Sequence, residues 1–426
     1  MLKNLSRRGL FALAPSGLLL PRRLLAAPAA PGARKFLFIY AYGGWDTTMV
    51  FTPMFDKPLV DTEPDATTAT VNGVTFVDSP QRPAVRQFFE RWGDRACVVN
   101  GIEVRSVTHE RCQRILLTGS AESGKDDWAA IMAGVSTEDL LLPHLVVSGP
   151  SFTTEFSSRV VRIGDNGQLN LLLDGTALRQ SSTPVVSPNP DTETLADAFV
   201  RDRLATFSAT AGAGRAATFA ERYRDALGDV EALKDLASSL DLDPDAGGCS
   251  RDIASDAASA LDAFELGIAR CAITRHDGWC SVGWDTHVNN TFQVMHYEEL
   301  FGFLSEIMAD LETRTSATGG RLRDEVTIVV LSEMGRHPQL NLGAGRDHWT
   351  FTSCMLLGAG VRGGQSIGML DSNALGLAVD LATGELDDGG EALVPGHLGA
   401  TLLHLADIDP AEWVTQGAPI LGALET

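Results

Sequence analysis

Three things are missing from this chain, and each removes a class of function. Its six cysteines, Cys97, Cys112, Cys249, Cys271, Cys280 and Cys354, include no C-x-x-C pair, so no thiolate zinc clamp is spelled out. No G-x-G-x-x-G carries a strand into a helix, which removes the usual dinucleotide cradle; "GAGVRGG" from Gly358 reads as a backbone turn. No segment reaches the roughly 18 uninterrupted apolar residues that a spanning helix needs, so no transmembrane span is expected. Basic residues are also few: 34 Lys and Arg stand against 55 Asp and Glu, a net charge of −21. A chain this acidic repels nucleic acid and anionic membrane surfaces, and no nucleic-acid partner is expected.

What is present begins at the N-terminus. Residues 1–30 hold five basic residues and no acids, and "NLSRRGLFALAPSGLLL" sets an Arg pair before a short apolar run. The run is broken by Pro15 and Pro21, and Ala27-Pro28-Ala29 comes next as a small-x-small cleavage site. The segment resembles a twin-arginine export signal. It implies a mature chain from about residue 31 that is periplasmic or extracellular. Export permits disulfides; Cys271 and Cys280 are the closest pair, and most of the cysteines read as buried thiols. With 44% hydrophobic and 21% charged residues, the composition is that of an ordinary globular protein, read here as a single domain over 31–426.

Short apolar runs bounded by glycine or polar residues predict strands: "KFLFIYAYGG" from Lys35, "ACVVNGIEV" from Ala96, "HLVVSG" from His144, "EVTIVVLSE" from Glu325 and "SCMLLGAGV" from Ser353. Continuous rather than alternating hydrophobicity is the signature of parallel strands covered on both faces. Helical spacing appears at Phe219, Tyr223, Leu227, Val230, Leu233, Ala237 and Leu240. It recurs at Ile253, Ala257, Leu261, Phe264, Ile268 and Cys271, and "TFQVMHYEELFGFLSEIMADLE" is a third helix. Residues 191–274 lack a convincing strand and read as a helical insertion. The expected fold class is α/β, a mostly parallel central sheet flanked by helices.

Open α/β sheets bind ligands beyond the carboxyl ends of their strands. Asp46 follows the first strand, in "GGWDT", and Glu333 follows the strand Val326–Leu331. Asp285 and His287 share a polar loop, "GWDTH", before a helix. His109 opens "HERCQRILLTG" after a strand, and His348 lies in "GAGRDHW", just before the strand at Ser353. Carboxylates and imidazoles gathered at one sheet edge suit one or two divalent metal ions, and two such ions would clamp an ester displacement. The tetrapeptide Gly-Trp-Asp-Thr occurs twice, but the flanks of its two copies differ, so it is not an internal duplication.

"SRRGLF", "GGWD", "THERCQRILLTG", "GWDTH", "LSEMGR", "RDHW", "LGAGVRGG" and "PGHLGATLLHLADIDP" succeed one another in this order. Together they resemble the exported bacterial family named domain of unknown function 1501, which is similar to the alkaline phosphatase and sulfatase superfamily. The resemblance implies an alkaline phosphatase-like α/β domain that hydrolyses phosphate or sulfate esters with zinc, manganese, magnesium or calcium. It makes Asp46 the first metal aspartate, Asp285 and His287 the later ligand pair, and His348 the last ligand histidine. Glu333 takes the place of a ligand aspartate, and Met334 that of a ligand histidine or asparagine. A thioether is a poor ligand for a hard cation, which leaves His337 as a substitute. Counting back nine from Thr118, where sulfatases carry an oxidised Cys or Ser, reaches His109. A standard sulfatase is therefore not expected.

Three readings of that position stay open. Thr108 supplies a hydroxyl; His109 is a metal ligand, general base or phosphate acceptor; or the site binds a ligand without turning it over. In the last case the protein is a non-catalytic envelope protein that binds a carbohydrate, an anionic polymer or a partner protein. In the catalytic case the substrate is a small anionic ester, and Arg336, just past Glu333, grips its oxygens. Asp347 orients His348 or caps the next element, and His276 and Asp277 lie behind the ligands. His144, His296 and His404 read as structural or surface residues, His397 as part of a turn before the final helix, and Lys125 as surface.

Overall fold

The computed structural model describes residues 34–55, 57–138, 140–163, 190–210, 215–239 and 249–425. The export segment and Leu240 lie outside them. The strands are β1 (Lys35–Ala41), β2 (Thr67–Val71), β3 (Val74–Asp78), β4 (Ala96–Glu103), β5 (His144–Val146), β6 (Val160–Arg162), β7 (Cys271–His276), β8 (Val326–Leu331), β9 (Gly335–Arg336), β10 (His348–Trp349), β11 (Phe351–Gly358) and β12 (Gln365–Ile367). Eight of them form one sheet in the order β12-β4-β11-β8-β1-β7-β5-β6, while β2–β3 and β9–β10 are separate two-stranded ribbons.

The alternation of side chains along β1 shows why both faces must be covered. Leu37, Ile39 and Ala41 enter one core with the helices α2 (Pro83–Trp92), α7 (Ile253–Glu265) and α8 (Phe292–Leu311). Phe36, Phe38 and Tyr40 enter the other with α3 (His109–Thr118), α4 (Trp128–Val135) and α9 (Pro395–Leu405). The result is the expected mostly parallel α/β sheet between helical layers. The short helix α1 (Thr47–Val50) follows β1 directly, and α5 (Pro190–Thr210), which no spacing pointed to, packs with α6 (Arg215–Ser239), the helix expected from Phe219 onward.

Several expectations need correction. The insertion does not run to 274, because Gly267 turns the chain at a φ of +70° and Cys271–His276 becomes β7, paired in parallel with β1. Ile268 and Cys271 therefore leave the helix that ends at Glu265. On α6, Phe219, Tyr223 and Val230 are exposed instead of forming a buried stripe. β11 runs antiparallel to both neighbours. Cys271 is a free, buried thiol, and Cys280 is instead disulfide-bonded to Cys249. Nearness in sequence misled here because Cys271 starts a central strand while Cys280 sits in the loop beyond its far end.

Candidate metal centre

The carboxyl ends of the parallel strands converge on one edge. β1 delivers Gly43 and Gly44, β8 delivers Glu333, and β4 leads through Val107 to His109. β7 leads through a loop to Asp285 and His287. His348 comes just before β11, yet it reaches the same edge because β11 runs the opposite way. The two Gly-Trp-Asp-Thr copies lie against one another here. Gly43 has φ +123°, and a Cβ on it would stand 2.7 Å from the backbone nitrogen of Asp285, so only glycine permits the approach.

Three imidazoles are oriented from behind by groups that can only accept. His109 Nδ1 lies 2.8 Å from Glu333 Oε1. His287 Nδ1 lies 3.0 Å from Asp347 Oδ1. His348 Nδ1 lies 2.6 Å from the Val107 carbonyl. Carboxylates and a carbonyl carry no proton, so each Nδ1 donates, and each neutral ring presents its Nε2 lone pair forward. All three lone pairs meet at Asp285. His348 Nε2 is 3.1 Å and His287 Nε2 is 3.2 Å from Asp285 Oδ1. His109 Nε2 is 3.3 Å from Oδ2, and His287 and His348 Nε2 are 2.9 Å apart. His109 Nε2 is buried without a hydrogen bond.

Lone pairs pressed together need a cation between them. Ligand atoms of a tetrahedral ion bound at about 2.0–2.1 Å stand about 3.3 Å apart, close to the separations observed. His109, Asp285 and His348, whose ligand atoms all lie within 4.8 Å of one another, therefore fit a divalent metal, with His287 beside them against Asp285 and His348, and with Glu333, Asp347 and the Val107 carbonyl as the outer partners that fix each ring. In the metal-free state a proton on His109 takes the cation's place. The Asp285 carboxylate set against Nε2, then the hydrogen bond to Glu333, raises the His109 pKa to about 9 against the opposing effect of burial. For Asp285, burial pushes the pKa up, but the His109 ring against it and the hydrogen bonds from His348 and Arg336 outweigh it and hold the carboxyl well below its usual range.

Not every candidate arrives at this point. Asp46 is fully buried and caps α1. Its Oδ1 accepts from Thr48 N and Oγ1 at 3.1 and 2.7 Å, its Oδ2 accepts from Asn290 Nδ2 at 2.8 Å, and Arg346 pairs with it at 3.1 Å. These partners, not the imidazole cluster, take its lone pairs. Glu333 is also committed: Tyr40 Oη, Gly43 N and His109 surround it, which makes it the support of a ligand. Arg336 is buried and donates to the carbonyls of Gly43, Gly44 and Arg346 and to Asp285. It positions Asp285, and four of its five N–H donors are taken.

Thr108 is exposed, and its hydroxyl pairs with Ser106. Asp347 orients His287, not His348. His337 packs edge-on against Trp349 and joins no ligand, while Met334 is buried with Val104 and Cys112. His276 accepts from Trp284 Nε1 and pairs with Glu299 behind the loop; Asp277 pairs with Arg275. The sequence reading missed Tyr40, Asn290 and Arg346, whose roles depend on contacts far apart along the chain.

The family model described as "Protein of unknown function (DUF1501)" matches residues 36–418. The chain belongs to the DUF1501 family. No curated protein sequence matches it. Among solved structures, this DUF1501 protein is similar to Ps i-CgsB in complex with k-i-k-neocarrahexaose, at 8% identity over 91% of this chain and 75% of that one, TM-score 0.37. It is also similar to the integral membrane lipooligosaccharide phosphoethanolamine transferase A of Neisseria meningitidis, at 10% identity, 94% and 60% coverage and TM-score 0.40. It spans only 60% of that transferase. A third is the lipoteichoic acid synthase LtaP of Listeria monocytogenes, at 10% identity, 92% and 77% coverage and TM-score 0.35. At these levels the chemistry of the DUF1501 site rests on its own geometry. No helix among the described residues is long and apolar enough to cross a membrane.

Proposed function

We propose that this chain is an exported metal-dependent hydrolase of phosphate or related anionic esters, with one divalent ion held by His109, Asp285, His287 and His348. The observation that carries the reading is the convergence of three Nε2 lone pairs on one carboxylate, each ring fixed from behind by an acceptor. Three imidazoles and a carboxylate favour zinc or a similar transition metal over calcium or magnesium, which prefer all-oxygen shells. Asp46 and Glu333 stand outside the ligand set. A bound ion of this kind supplies Lewis acidity toward an ester oxygen. The chain's own contribution is to hold the ligands. Arg336 fixes Asp285, Glu333 fixes His109, and the half-exposed Asp285 and His287 leave one side open to a small ligand.

Export by the twin-arginine route is part of the proposal. A Cys249–Cys280 disulfide is consistent with an oxidising compartment.

A second reading has its own support. Among the described residues, no serine, threonine or cysteine side chain hydrogen-bonds to the four ligands, so no such nucleophile is tied to the site. A metal-bearing envelope protein that binds a carbohydrate or anionic polymer without turning it over needs no nucleophile. Elemental analysis of the purified mature protein tests the shared premise: about one zinc or manganese per chain is expected, and Asp285→Ala and His348→Ala should empty it. A metal-free wild type that zinc does not stabilise against heat ends both readings. With metal bound, a panel of phospho- and sulfo-esters separates them. Turnover that is lost in His109→Ala supports the hydrolase, and an inert loaded protein supports the binding protein.

A further inference from the structure

The segments that carry the ligands also wall a cavity. It has a volume of about 310 Å³, the lower end of the range of small-molecule sites. The loop from Leu340 to Arg346 is common to both places. Asn341 Nδ2 donates to the His287 carbonyl and to Asp347 on the metal side, while Leu340, Ala344 and Arg346 line the cavity. Asn289 to Thr291, directly after His287 and Val288, form a second shared wall, and Val288 bridges to Ala344 between them.

Much of the lining is apolar. Met49, Phe55, Val77 and Val294 supply apolar surface. The charged groups at its margin are engaged elsewhere: Arg346 pairs with Asp46, Glu63 with Arg82, and the Asp61 carboxylate accepts from the Leu340 backbone N–H, while Arg346 Nε is left without a hydrogen bond. The apolar side chains give an alkyl chain or aryl ring the larger contact surface. The rim points the same way. Val288, Leu340 and Leu342 are exposed at 71%, 46% and 111%, three apolar side chains held in water on the two loops that bear His287 and His348. Apolar residues clustered in this way mark a surface that something covers. The larger cavity of about 560 Å³ is at the opposite end of the strands and is walled by ion-paired arginines, Arg95 and Arg323 with Glu312.

We propose that the 310 Å³ cavity and its apolar rim are the subsite for an alkyl or aryl group of the same molecule whose anionic part binds at the metal centre. The natural ligand is then amphiphilic, an anionic ester or acid with an apolar arm. The inference rests on the metal-centre reading for its head group, and the cavity supplies the arm.

Methyl-, butyl- and octylphosphonate, which carry no hydrolysable ester, test it by calorimetry on the zinc-loaded full mature chain. Affinity is expected to rise with chain length, by up to roughly fourfold per buried methylene, until the cavity is filled. Leu340→Glu and Thr62→Trp, both at exposed lining positions, should flatten the series while methylphosphonate binding stays unchanged. Equal affinity across the series overturns the proposal, as does a length effect that both variants leave intact. A flat series together with Leu340-dependent binding to phosphatidylcholine vesicles also overturns it, in favour of docking on a lipid surface. A steep series with no hydrolysis of octyl phosphate sustains the cavity assignment while the hydrolase reading fails.

Discussion

Gly43 to Thr47 and Gly283 to Thr286 contain the same four-residue string, and the fold uses the two copies in opposite ways. The tryptophans are equivalent: both are fully buried, each indole N–H has a partner, and the rings meet edge to face at 6.4 Å. Gln293 staples the copies together, accepting from Asp46 N while donating to the carbonyls of Gly44 and Trp284. The aspartates diverge. After Asp46 a helix begins at once, so its carboxylate becomes an N-cap and then the partner of Arg346. After Asp285 the next long helix starts only at Phe292, and the carboxylate is left for the imidazoles. The backbone downstream of each aspartate decides its role, not the residues it shares with its twin.

Exchange of roles would break this comparison, and the largest effect should come from Asp46. Asp46→Ala leaves the Arg346 guanidinium buried without its counter-charge, a loss of about 3–5 kcal/mol, read as a shift of the denaturant midpoint at unchanged slope. Asp285→Ala should instead empty the metal site; it also takes the carboxylate from the buried Arg336, but three backbone carbonyls still accept from that guanidinium, so the loss of stability in the metal-free protein should be smaller. If Asp46→Ala kept full stability and lost the metal, the two assignments would be reversed. Asp347→Asn should come next: the support of His287 is weakened, and metal affinity should fall about 10–100-fold in a chelator competition, with unchanged stability in the metal-free state. Thr48→Ala, which removes one donor to Asp46, should cost about 1 kcal/mol and leave metal content alone.

The pH dependence sharpens the contrast further. The folded pKa of His109 in the metal-free chain, about 9, is above its ordinary 6.5. Its contribution to stability is therefore complete below pH 6.5 and is lost as pH rises through 9. Chemical unfolding in chelator at both ends of that window should show a decline that His109→Gln reduces. Metal has to displace that proton, so zinc affinity should tighten over the same range. A wild type whose decline matches that of the variant would take His109 out of the linkage.

Much of the architecture was legible because buried strands advertise themselves. The runs at Lys35, Ala96, His144, Val326 and Ser353 all became strands of the main sheet. β7 was not legible: "CAITRH" ends in Arg275 and His276 and continues the spacing of the preceding helix, so its central place depends on pairing with β1. Strand direction is also silent in an apolar run. Read as parallel, β11 would carry His348 to the wrong edge, and its reversal brings that histidine home. At the site, residue types were legible, but assignment to ligand or support was not. Glu333 and Asp285 look alike in sequence; only the ring nitrogen that each one faces tells them apart.

Arg336 has one consequence for handling the protein. Its guanidinium holds Asp285 and the turn at Gly43–Gly44 by bonds that no chelator reaches. Stripping the metal thus leaves a covalently attached positive charge in place. The emptied centre keeps a template for Asp285, and reloading should be fast and free of refolding.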